Sequence, residues 1–188
     1  MNDLPDLYPG FATRRLKTTG AEIQARVGGS GPPLVLLHGY PQTHVCWHKI
    51  AGELARHATL VIPDLRGYGA SSCPLSTLAT DPDHEVYSKR AMARDIREVM
   101  AALGHSRFMV AGHDRGARVA YRLALDHPEV VTKLMPLDIL PTIDVWDGWR
   151  WQAAINSYHW SFLAQPAPLP ETLSAANPAS YVDHTLAS

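Results

Sequence analysis

The stretch VAGHDRGARVAYRLALDHP, running from Val110 to Pro128, decides how the rest of the chain is read. Apolar residues (RFMVAG) lead into Gly112-His113-Asp114-Arg115-Gly116, and helix-forming residues follow from Arg115 to Leu125. A strand, then glycine, any residue, a reactive residue, any residue and glycine, then a helix, makes a sharp turn. The flanking glycines let the backbone pass close to its neighbours, and the central side chain is pushed out at the helix N-terminus. Two readings of Asp114 follow. In one it is an N-cap that binds the first amides of the helix. In the other it is a carboxylate kept ionised by the helix end. Such a carboxylate can attack carbon to form an ester that water later cleaves.

The segments around this turn favour the second reading. LVLLH (Leu34–His38) is an uninterrupted apolar run ended by GYP, as in a buried parallel strand. A His-Gly-x-Pro loop after such a strand offers a backbone N–H to an oxyanion, and the residue after the nucleophile offers a second. These are Tyr40 and Arg115. Arg115 and Arg118 lie three apart and share a helix face. Two guanidinium groups form a fork suited to a carboxylate. Cations are also poorly placed at a helix N-terminus on dipole grounds, so an anionic partner accounts for them better than solvent does.

The other elements alternate. Phe11–Val27 reads as a hairpin turning at TTGAE, and GGSGPP as a loop. VCWHKIAGELARHA reads as a helix with Trp47, Ile50, Leu54 and Ala55 on its apolar face. TLVIPDLRGYGAS is a second buried strand. Ser88–Leu103 is helical, with Met92, Ile96, Val99, Met100 and Leu103 in register and Gly104 stopping it. VVTKLMPLDIL is a further strand with Asp138 near its C-terminal end. The order predicts an α/β fold, a mostly parallel sheet with crossover helices. His38, Asp64, Asp114 and Asp138 fall at the strand ends where ligands gather in such sheets. After Pro141 the chain turns Trp-rich and then Pro-rich. We therefore expect an N-terminal part of a core over residues 1–140 and the beginning of a helical cap over 141–188.

Composition bounds the function. The chain has 188 residues, a 46% hydrophobic fraction and a net charge of −1, which gives no basic excess for nucleic acid. Two cysteines form no disulfide framework and fit a reducing cytoplasm. The start, MNDLPDLYPGF, lacks the pattern of a signal peptide, and no apolar run is long enough to span a membrane. None of the ten histidines lies in an HExxH motif or beside a CxxC, so neither a metal nor a cofactor is expected.

The motifs LHGYPQTHVCWHKI, PDLRGYGASS, AGHDRGARVAYRLALDHP, LDILPT and YHWSFLAQPAPLPE resemble the haloacetate (fluoroacetate) dehalogenases of the α/β-hydrolase superfamily. The resemblance covers residue 10 onward. It implies Asp114 as the nucleophile, Arg115 and Arg118 as the carboxylate receptor, and His159 and Trp160 as halide donors. It also implies Asp138 as the acid that orients a catalytic histidine. The implied substrate is a small 2-halo acid. Read without the family, YHW is an aromatic packing cluster, Asp64 is structural, and His38 and His113 are architectural. His44 and His48 read as packing or surface residues. The family's catalytic histidine and a halide-binding tyrosine match no position here, and His184 is not a credible substitute. The chain is expected to end inside the cap and to alkylate itself once rather than turn over. An uncovered sheet edge and apolar faces would then promote association, and a homodimer stays open. An epoxide hydrolase drawing on Tyr158 and Tyr181, or an inactive fragment, are the alternatives.

Overall fold

A computed structural model describes residues 6–77 and 79–187. The reading of the first residues as lacking a signal peptide lies partly outside them. The chain divides into two compact units, Met1–Ile139 and Leu140–Ser188.

The first unit is built on a six-stranded sheet. Its strands are β1 (Ala12–Lys17), β2 (Glu22–Gly29), β3 (Pro33–Leu37), β4 (Thr59–Pro63), β5 (Phe108–His113) and β6 (Val131–Leu137). Their order across the sheet is β1-β2-β4-β3-β5-β6. β1 and β2 form the expected hairpin, and β2 runs antiparallel to β4. β4, β3, β5 and β6 are mutually parallel, so the expected mostly parallel sheet is present. The helices of this unit are α1 (His48–Leu54), α2 (Lys89–Ala102) and α3 (Arg115–Asp126).

Alternation along the strands divides the core between the two sheet faces. Val35, Leu37, Val61, Phe108 and Val110 pack with Met92, Ile96 and Met100 of α2 and with Val119 and Leu123 of α3. Leu36, Leu60, Ile62 and Ala111 pack on the other face with Trp47 and Ala51. The predicted apolar face of the first helix needs one correction. Trp47 ends a 3-10 turn (His44–Trp47), Ala51 is buried one α-turn on, and Ile50 faces the surface. Leu54 and Ala55 pack against the core as expected, so only Ile50 leaves the predicted face, and Ala51 takes its place. β6 forms one edge of the sheet, with Leu134 and Met135 exposed.

The second unit is helical. It comprises α4 (Thr142–Asp147), α5 (Trp151–Asn156), α6 (Tyr158–Leu163), α7 (Leu169–Ala176) and α8 (Pro178–Ala187). Among the described residues no helix is long and apolar enough to cross a membrane.

Candidate active site

Asp114 stands between β5 and α3 with φ 46° and ψ −117°. A non-glycine residue rarely adopts a positive φ, and when it does so at a reactive position the surroundings must hold it there. The two bracketing glycines show how. A Cβ on Gly112 would lie 2.5 Å from the carbonyl carbon and oxygen of Gly116. A Cβ on Gly116 would lie 2.4 Å from the carbonyl oxygens of Leu37 and His38. The turn is thus pressed against itself and against the end of β3. The Asp114 N–H donates to Leu137 O at 3.2 Å, which ties the corner to β6 as well.

The side chain of Asp114 distinguishes the two sequence readings. It occupies the N-cap position of α3 yet caps none of the helix amides. Its Oδ2 instead accepts the backbone N–H of Tyr40 at 2.9 Å. The predicted oxyanion-hole donor of the HGYP loop therefore points at the carboxylate itself. Gly39 makes this approach possible, since a Cβ there would lie 2.7 Å from the Cβ of Asp114.

The loop that carries Tyr40 is fixed from below. His38 is fully buried, and its Nδ1 donates to Gly39 O at 2.8 Å while its Nε2 accepts the Leu65 N–H at 3.0 Å. That pattern needs the neutral ring, and burial lowers the His38 pKa in the same sense. Asp64 is also fully buried, and its Oδ1 accepts both the backbone N–H and the ring Nδ1 of His44 at 2.8 Å. Its Oδ2 accepts the Ala70 N–H at 3.0 Å. Burial alone would raise this carboxyl, but the bonds from His44 and Ala70 outweigh it and the pKa is lowered. Asp64 and His38 thus carry structure, as the sequence suggested. His44 does more than pack, because it is the partner of Asp64.

Both arginines lie by the nucleophile. The Arg115 guanidinium stacks over the Tyr40 ring at 4.2 Å and donates to the Tyr68 hydroxyl at 3.2 Å. Arg118 is only 6% exposed. Burial lowers its pKa, while the Asp114 charge pulls the other way. Sequence reasoning missed one further cation. Lys89, the first residue of α2, feels the charges of Arg115, Arg118 and Asp114. A lysine in a first helical turn carries no signal of its own, since only the packing of α2 on α3 brings it here.

Asp138 follows β6 at φ 54° with its side chain 90% exposed. Its Oδ2 lies 3.8 Å from Nε2 of His113, whose Nδ1 faces Oε1 of Gln42 at 3.0 Å. In the second unit, His159 and Trp160 are neighbours on α6. Trp160 sits among Trp146 and Trp149, with ring centroids 5.5 and 5.9 Å away, and His159 meets the Tyr158 ring edge-on. Tyr158 bonds Thr185 through its hydroxyl and faces His184, while Tyr181 faces Phe162. The aromatic packing that a family-blind reading expects of YHW is therefore present.

The family model described as alpha/beta hydrolase fold matches residues 32–187, a span that includes the strand-to-helix corner at Asp114. The chain belongs to the alpha/beta hydrolase family. A fluoroacetate dehalogenase of Burkholderia sp is 46% identical over 96% of this chain and 58% of its own length. A soluble epoxide hydrolase of Corynebacterium sp. (strain C12) is 42% identical over 65% of this chain and 40% of its own. Among solved structures, a Nostoc sp PCC 7120 protein described at the level of the alpha/beta hydrolase family superposes with a TM-score of 0.91. It is 54% identical, over 95% of this chain and 60% of its own. This alpha/beta hydrolase chain thus spans at most about three fifths of the relatives it matches.

Proposed function

We propose that this chain carries the ester-forming half of a haloacetate dehalogenase. The observation that carries the reading is Asp114: a strained corner residue that caps no helix amide, with Oδ2 on the Tyr40 N–H and two arginines beside it. A small 2-halo acid docks its carboxylate on Arg115 and Arg118, which turns the halogenated carbon toward Asp114. The free carboxylate oxygen attacks that carbon in line. A carbon–oxygen bond forms, the carbon–halogen bond breaks, and the halide leaves with the electron pair. Holding the reacting atoms in this geometry is a large part of the rate enhancement. The Tyr40 N–H keeps the second oxygen in place, and the Arg115 amide is assigned as its companion donor.

The resemblance assigns the departing halide to N–H donors on His159 and Trp160, which suits fluoride, a basic and poorly leaving ion. Hydrolysis of the ester requires a general base. Asp138 is assigned as the acid that orients such a base.

Exposure of the pure chain to chloroacetate, followed by proteolysis and mass spectrometry, tests the reading. A carboxymethyl ester on Asp114, absent in Asp114→Asn, is the expected result. An adduct pattern unchanged by Asp114→Asn overturns it. The 42% identical epoxide hydrolase relative supports a second reading, in which Asp114 opens an epoxide. Styrene oxide in place of chloroacetate separates the two, since paired arginines serve an acid and give no advantage to a neutral epoxide.

A further inference from the structure

We propose that the Tyr68 hydroxyl is a positioning group for Arg115, fixing the guanidinium in its plane above the Tyr40 ring and so setting the preference of the site for acids. The proposal rests on the dehalogenase reading above and gives that reading a specificity-determining residue.

A long side chain in the first turn of a helix is ordinarily mobile, and ordering it when a ligand arrives subtracts from affinity. Arg115, the first residue of α3, is held in two directions beforehand. Its guanidinium carbon lies 4.2 Å from the centre of the Tyr40 ring, and its Nη1 donates to the Tyr68 hydroxyl at 3.2 Å. Stacking sets the height of a guanidinium above a ring but lets it turn and slide there. A hydrogen bond is directional, and the Tyr68 oxygen removes that remaining freedom. With Nη1 given to Tyr68, the Nε–Nη2 edge is the pair that meets a carboxylate two-pronged. Tyr40 brings this group to the nucleophile, because the residue whose ring carries Arg115 also donates its N–H to Asp114 Oδ2 at 2.9 Å.

The Tyr68 ring is itself firmly set. It packs against the core that includes Val35, Leu37 and Met92, and it meets the buried His38 ring edge-on, with centroids 5.0 Å apart and planes at 68°. Its backbone is wound into a tight turn. The Tyr68 N–H donates to Leu65 O at 3.0 Å, and Tyr68 O accepts the Ser71 N–H at 3.1 Å. Between them Gly69 takes φ 53°, where a Cβ would lie 2.2 Å from Asp64 Oδ2. His38 also bonds Gly39 O and the Leu65 N–H. One buried imidazole therefore backs both loops, the one that delivers Tyr40 and the one that delivers Tyr68. Phenylalanine would meet the packing equally well, and the hydroxyl adds the contact with Arg115. A bound carboxylate gains from a guanidinium edge set in advance, and a neutral reagent does not.

The test uses the 188-residue chain as wild type, Tyr68→Phe, Arg115→Met and the double variant. Ester formation at Asp114 is followed by peptide mapping with bromoacetate and with bromoacetamide, and the quantity read is the ratio of the two rates. Binding of glycolate, which needs no ester, is followed by NMR. Tyr68→Phe should lower the acid-to-amide ratio roughly tenfold and weaken glycolate to a similar extent, the scale of one charge-assisted hydrogen bond. In the Arg115→Met background the same change should lower the ratio less than about twofold, since the hydroxyl then has no guanidinium to hold. An equal loss toward both reagents marks a structural defect and overturns the proposal, as does a drop in the ratio that persists undiminished in Arg115→Met. Glycolate bound with this dependence on Tyr68 and Arg115, but with no ester at Asp114, would keep the receptor and sink the dehalogenase reading. Ester formed with an acid preference indifferent to Tyr68 would do the reverse, and neither ester nor bound glycolate would sink both.

Discussion

Gly116→Ala attacks the corner that presents Asp114, and its cost can be worked from the contacts. The new methyl would sit 2.4 Å from the carbonyl oxygens of Leu37 and His38 and 2.6 Å from the Leu37 carbonyl carbon. Ordinary contact begins at 3.4 Å, so the methyl is about 1 Å too close to backbone that cannot rotate away. Overpacking of this kind costs up to about 3 kcal/mol. Alanine returns about 1 kcal/mol of helix propensity in α3. The net loss is then about 2 kcal/mol, or roughly 4–8 °C in Tm for a chain of this size. Gly52→Ala is the matched control. It lies in α1 in the same unit, and its methyl would meet nothing within 4 Å. It should gain about 0.5–1 kcal/mol. Urea unfolding followed by circular dichroism compares the two. Chemistry should fall further than stability in Gly116→Ala. Relieving the clash moves Asp114 off the Tyr40 N–H, and a displacement of about 1 Å can cost about 100-fold in rate. If Gly116→Ala proved as stable as Gly52→Ala and reacted with chloroacetate at the wild-type rate, the jammed corner would not be what presents the nucleophile.

Two further predictions concern charge. Asp64→Asn puts an amide where two His44 donors and the Ala70 N–H converge, and should cost about 1–3 kcal/mol in urea unfolding. Because the Asp64 pKa is lowered in the fold, its contribution is present above the usual carboxylate range and is lost as pH falls through the lowered value. The gap between wild type and Asp64→Asn should accordingly close in acid. Lys89→Met should be more stable than wild type at pH 7, by roughly 2 kcal/mol after allowance for partial exposure. The Lys89 pKa is about 8 against 10.5 for the free side chain. The folded state therefore binds fewer protons between those values, and wild-type stability rises with pH there. The advantage of Lys89→Met should shrink from about pH 8 and vanish above pH 10.5, as read from urea midpoints across that range.

What was legible in the sequence is what depends on local pattern. The run LVLLH becomes β3 because continuous apolar residues suit a strand buried on both faces. The three-and-four spacing of Met92, Ile96, Val99 and Met100 gives α2 one core-facing stripe, and all four are buried. GHDRG fixes its own geometry, since each glycine marks a place where backbone meets backbone. The illegible parts depend on elements far apart in sequence. His44 pairs with Asp64 only because two loops meet above the sheet. Lys89 joins the arginines only because α2 docks on α3. The face of α1 was misjudged at Ile50 because a 3-10 turn precedes the helix, and its tighter winding resets the angular phase that a uniform 3.6-residue repeat assumes.

Several unfavourable choices in this unit meet at the corner of Asp114. A positive φ falls on an aspartate, a glycine weakens the first turn of a helix, and two arginines stand at that helix's N-terminal end. Other positions obey the ordinary rules: Ser88 caps α2, and Asp95 answers the buried Arg66. A fold under selection for stability alone would relax such features by neutral substitution, one position at a time. Their meeting at this corner is the mark of a site that trades resting stability for a preset nucleophile. Strain aims the carboxylate, and the two guanidinium groups beside it suit an anion. An acid that also carries a leaving group meets both demands with a single small molecule. An epoxide meets only the first, and for that reason the arginines, more than Asp114 itself, separate the two chemistries open to this corner.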